Sequence, residues 1–168
     1  MLLGSVVVAD AVIALLWLPG SLLLWGGAVG AGVFCYLVIF VLRRRGGTIR
    51  KRLCAALLFA MGTFGAAWTG IAEPWRILSG PAAAFGILCF GNMELIEGWE
   101  RRQSGARGGL WMLLLAAVCV VAGHSRWYGM IAAGAVGLAA VDRFGATLPR
   151  EAGGVLADLA LLTPLFFR

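Results

Sequence analysis

The chain has 168 residues, 61% of them hydrophobic and 13% charged, and a mean hydropathy of +0.93. A soluble globular domain is about 45–50% apolar and about 25% charged, so this composition excludes one and leaves no room for a separate soluble domain. The net charge of +6 does not point to nucleic acid, because the basic residues fall in the gaps between apolar runs, where membrane topology accounts for them.

In chain order, seven apolar segments can be drawn. The first runs over 2–17 and carries Asp10; it lacks the positive start of a signal peptide and is read as a retained span. Leu18-Pro19-Gly20 turns the chain into a second segment over 22–42, which ends on Arg43, Arg44 and Arg45. Gly46 and Gly47 break that helix, and Arg50, Lys51 and Arg52 open the third, over 53–72. Glu73-Pro74-Trp75-Arg76 makes the next turn, before a fourth segment over 77–99 that closes on Glu100, Arg101 and Arg102. The last three segments, 110–122, 127–141 and 154–167, are shorter, which suits a tilted or interfacial placement. At about 20 apolar residues per crossing, the expected fold is all-α: one integral membrane domain over 1–168, a polytopic transmembrane bundle of six to seven spans.

Orientation follows from the basic residues. The loops near 43–52, 101–107 and 142–151 hold Arg43, Arg44, Arg45, Arg50, Lys51, Arg52, Arg101, Arg102, Arg107, Arg143 and Arg150; the opposite side holds Arg76, Arg126 and Arg168. The N-terminus and the basic loops are therefore expected on the cytoplasmic side, and membrane lipids are the expected surroundings. Trp17, Trp25, Trp68, Trp75, Trp99, Trp111 and Trp127 all fall near segment ends, where an amphipathic ring is favoured. The glycines and alanines inside the segments suit close helix packing; Gly26 and Gly30 have GxxxG spacing, for which internal packing is the simpler use. Cys35, Cys54, Cys89 and Cys119 are scattered without metal-ligand or CxxC spacing, as small core residues are.

Chemistry is sought where polar residues sit in apolar surroundings, because an ionisable group in hydrocarbon faces a cavity or a partner. Asp10, Asp158 and the stretch Asn92 to Arg102 qualify. At about 100° per residue, Glu94, Glu97, Glu100 and Arg101 fall within an arc of roughly 120°, with Asn92 pointing elsewhere and Glu94 roughly 10 Å deeper than Arg101. Glu94, Glu97 and Glu100 could together hold Mg²⁺, which takes oxygen ligands and bridges to phosphates. Arg101, Arg102 and Arg107 could hold the phosphate oxygens themselves. The simpler alternative pairs Glu97 with Arg101 at i, i+4 and leaves Glu100 solvated. Asp142 and Arg143 are expected to pair or face water, His124 to sit in a solvated turn, and Asp158 to cap backbone near Pro164 or bond a neighbouring helix. The sequence has no HExxH, no GxSxG and no glycine-rich phosphate loop.

Leu88-Cys89-Phe90-Gly91-Asn92 through Trp99-Glu100-Arg101, the run Leu156-Ala157-Asp158-Leu159-Ala160-Leu161-Leu162-Thr163-Pro164-Leu165, and Arg52 through Gly62 resemble stretches of bacterial membrane proteins similar to the UbiA superfamily of intramembrane prenyltransferases. The resemblance implies a helical bundle with cytoplasmic active-site loops, in which two acidic motifs bind Mg²⁺ and a prenyl diphosphate. This chain is expected to match the family's last seven helices, which puts Glu94 to Glu100 where the second acidic motif belongs. The first motif and the two helices before it have no counterpart here, and glutamates at three-residue spacing replace aspartates mostly spaced by four. Ionising a diphosphate needs metals held from both sides, so a truncated or inactive relative is expected, in a bacterial inner membrane. Two other readings remain open: a small proton-coupled transporter using Asp10, Glu94 and Asp158, and a non-catalytic membrane subunit whose polar residues only tie helices together.

Overall fold

The computed structural model describes residues 16–42, 48–69, 71–100, 107–123, 125–144 and 150–161. Among the described residues the chain is all-helical, with no strand. Helix α1 spans Gly20–Tyr36 and runs into a π-helical stretch, Leu37–Leu42. Helix α2 spans Thr48–Thr69, α3 Pro74–Glu100, α4 Arg107–Ala122, α5 Arg126–Phe144 and α6 Arg150–Leu161. The expected segments over 22–42, 53–72, 77–99, 110–122 and 127–141, and the described part of 154–167, thus correspond to helices, most starting several residues earlier than hydropathy placed them. Polar residues that end an apolar run still carry helical hydrogen bonds. Of the first segment, all but Leu16 and Trp17 lies outside the described residues, and Asp10 with it.

Pro19 makes the entry to α1 by supplying its carbonyl oxygen, which accepts the N–H groups of Leu22 and Leu23 at 2.9 and 3.1 Å. Those are two of the donors that every helix start leaves without an internal partner. Eight residues into α3, Pro81 is buried inside the helix without ending it, although it removes one i→i−4 bond.

α3 is the central helix. It packs antiparallel on α2 and α4 and beside α5 and α6, with Phe64 of α2 meeting Phe85 of α3 at a ring separation of 5.8 Å. The core is built largely from small side chains: Ala56, Ala60, Ala116, Ala132, Ala135 and Ala157 are buried among Leu78, Leu88, Ile131 and Leu138. Small side chains bring helix axes close, and dispersion between many near atoms then holds them.

α1 packs on α2 by two such approaches, yet none of its residues is buried. A methyl group at Gly32 would touch Leu58 Cδ2 at 2.8 Å, and one at Gly65 would run into the indole of Trp25. That indole donates its Nε1–H to the Met61 carbonyl at 3.0 Å. Gly65→Leu is therefore expected to displace Trp25 and cost about 2 kcal/mol by overpacking. Gly62→Ala is the control, because a methyl group there meets only Val29 Cγ1 at 3.9 Å. Unfolding midpoints of the two variants, with tryptophan emission as a second readout, check this.

Among the described residues one helix, Gly20–Phe40, is long and apolar enough to cross a membrane, and none of that stretch is buried against the rest of the protein. The apolar helix Gly108–Ala122 is shorter. α2 and α3 are longer than α1, but Arg50, Lys51 and Arg52 open one and Glu94, Glu97 and Glu100 close the other, which shortens their apolar parts. The outer surface is nonetheless rich in large apolar groups: Leu24, Phe34, Trp75 and Val121 are each more than 65% exposed.

Candidate functional site

Antiparallel packing of α2 on α3 brings the start of one helix beside the end of the other. Arg52 thereby meets the carboxylates of both Glu94 and Glu97. Its Nη1 donates to Glu94 Oε1 at 2.5 Å, its Nε donates to Glu97 Oε2 at 3.0 Å, and its Nη2 donates to the same Glu97 oxygen. The guanidinium side chain is 16% exposed and Glu97 21%, while Glu94 is 53% exposed. The arrangement is a two-helix tie, with a mostly buried Arg52–Glu97 pair and Glu94 at its wet edge. The planar fork of arginine suits two acceptors at once. The sequence pattern placed Glu94 and Glu97 on one helical face correctly; what it missed is the partner. Arg52 lies more than forty positions away, and only helix pairing brings it near.

A second tie lies one turn further along α3. Asp142 of α5 accepts the Trp99 indole N–H on Oδ1 at 3.1 Å and the Gly109 backbone N–H on Oδ2 at 3.0 Å. It thus caps the first turn of α4 from another helix and anchors α3 at the same time. Gly109 is required for this approach, since a methyl group there would lie 2.9 Å from Asp142 Oδ2 and 3.7 Å from the Ala139 carbonyl. The expectation that Asp142 pairs with Arg143 or faces water is replaced by this pair of bonds: Arg143 is exposed and Asp142 half-buried.

Between α3 and α4 runs a groove of about 750 Å³, walled by Ile87, Leu95, Trp111, Met112, Leu115 and Val118, with Glu94, Trp99 and Asp142 at one end. From Gly108 to Val118 it follows α4 for about 15 Å at 1.5 Å per residue. Its size and mostly apolar wall are those of a small-molecule or lipid-tail site. Gly91 keeps it open, because any side chain there would meet Met112.

Asn92 is buried at 4% exposure, and among the described residues its Oδ1 has no hydrogen-bond partner. It lies on the side of α3 away from the glutamates, as the helical spacing predicts. Asp158 is exposed on α6. Asp10, Arg101 and Arg102 lie outside the described residues, as do the side chains of Glu100 and Arg107. Among the described residues no three of His, Cys, Asp and Glu come close enough together to hold a metal ion. Mg²⁺ binding through Glu94 and Glu97 would have to displace the Arg52 guanidinium from both carboxylates.

Comparison with protein-family models, with curated proteins and with solved structures finds no match to this chain.

Proposed function

We propose that this chain is a polytopic bacterial inner-membrane protein of six to seven spans, with its N-terminus and arginine-rich loops cytoplasmic. In this reading it is a relative of the UbiA-like prenyltransferases that binds a prenyl diphosphate without transferring it. The observation that carries the proposal is the apolar groove between α3 and α4, with its polar mouth at Glu94, Trp99 and Asp142. The tail of an isoprenoid lipid lies along Leu95, Met112, Leu115 and Val118. Arg101, Arg102 and Arg107 neighbour the mouth residues Trp99 and Gly108 in sequence and supply the charge that a diphosphate needs. One feature supports binding without turnover: Glu94 and Glu97 are held by Arg52. The Arg52 tie equally suits a non-catalytic membrane subunit. The transporter reading gains no support from Asp158, which is exposed.

The test is thermal unfolding of the detergent-solubilised chain with millimolar farnesyl diphosphate, with and without Mg²⁺. Ligand binding to the folded state raises the midpoint by roughly 5 °C at saturation. The shift is expected without metal and is expected to vanish in Val118→Trp, which fills the far end of the groove from its exposed side. A shift that needs Mg²⁺ and is lost in Glu97→Gln with Glu100→Gln would assign a metal site to these carboxylates and overturn metal-free binding. No shift in any arm sinks the diphosphate reading and leaves the subunit.

A further inference from the structure

We infer that the chain carries a second lipid site, specific for an anionic phospholipid, at the α1–α2 interface. It rests on the membrane placement proposed above but not on the prenyl diphosphate. A groove of about 440 Å³ lies between the two helices, lined by Val33, Tyr36, Leu37, Ala55, Leu58 and Phe59. Its α2 wall continues through Gly62 and Thr63. Lys51 stands one helical turn before Ala55, and Lys51, Ala55, Leu58, Phe59 and Gly62 share one stripe at i, i+4, i+7, i+8 and i+11. Arg50 is its neighbour. Both cations are exposed, and among the described residues neither has an ion-pair partner, whereas Arg52 is committed to Glu94 and Glu97.

These charges do nothing for the helix they start. No acidic residue occupies the first turn of α2, and cations at a helix N-terminus oppose its dipole. The rule that places basic loops in the cytoplasm accounts for the side on which they sit, but not for their register with the groove. An anionic phospholipid answers both parts. Its phosphate meets Lys51 and Arg50 at the surface, and one acyl chain descends the stripe from Ala55 to Thr63, about 12 Å at 1.5 Å per residue.

The experiment uses the full chain in neutral detergent, titrated with phosphatidylglycerol, phosphatidylcholine or glycerol phosphate, with bound lipid counted by native mass spectrometry and stability followed by thermal unfolding. Phosphatidylglycerol is expected to bind and stabilise; the zwitterionic lipid and the tail-less phosphate are not. Arg50→Gln with Lys51→Gln is expected to weaken phosphatidylglycerol about thirtyfold. Ala55→Trp should block the chain while keeping both charges, and Val118→Trp should leave this site untouched. Equal binding of both phospholipids, or full affinity in the double glutamine variant, overturns the proposal. A response to glycerol phosphate as strong as that to the lipid reduces it to a free anion site. A chain that stays dispersed without detergent and does not enter vesicles overturns the membrane placement instead.

Discussion

Arg52→Gln is expected to destabilise the protein by about 3 kcal/mol, the range for removing one partner of a mostly buried ion pair. Glutamine keeps one donor but not the charge, so Glu97, which is 21% exposed, and Glu94 lose the guanidinium that stands between them. The two carboxylates are not equivalent. Glu94 is 53% exposed, and water replaces most of what it loses, so Glu94→Gln should cost about 1 kcal/mol or less. Glu97→Gln should cost clearly more, since it leaves the guanidinium without its better-buried acceptor. The decisive measurement is the triple variant, Arg52→Gln with Glu94→Gln and Glu97→Gln. If the loss in Arg52→Gln comes from uncompensated charge, removing all three charges recovers most of the stability. A triple variant as unstable as Arg52→Gln alone would show that packing of the arginine stem, not the ion pairs, holds α2 to α3.

Asp142→Ala is expected to cost about 2–3 kcal/mol, because two donors lose their acceptor together: the N–H of Gly109 at the start of α4 and the half-buried indole of Trp99. Asp142→Asn keeps one oxygen acceptor and should cost about half as much. Unfolding midpoints rank the two variants, and amide hydrogen exchange in the first turn of α4 separates cap loss from general loosening. Only the cap predicts faster exchange concentrated at 107–111. Unchanged stability in Asp142→Ala would dismiss the tie as incidental.

Much of this was legible in the residues themselves. Apolar runs bounded by arginines, glycines and Pro19 put helices where α1 to α6 are found, because hydropathy and breakers act locally. The spacing of Glu94 and Glu97 placed both carboxylates on one face, since a helix turns by about 100° per residue whatever surrounds it. The same spacing turned Asn92 away from them. Span length was harder to read: charged residues at the starts and ends of α2 and α3 belong to the helices although hydropathy sets them outside.

The composition and order of residues by themselves determined the all-helical class, the approximate helix boundaries and the glutamate face of α3, because each depends on neighbours within a few turns. Only the tertiary structure decided what that face does. The carboxylates that look like metal ligands along one helix are partners of Arg52 across two, and Asp142, which reads as a solvated helix end, holds Trp99 and the first turn of α4. The α3–α4 groove likewise exists only because two separate helices pack around Gly91 and Gly108. Charge pairing and cavity shape are properties of how helices meet, and one helix's sequence carries no record of which residue on another will stand within 3 Å.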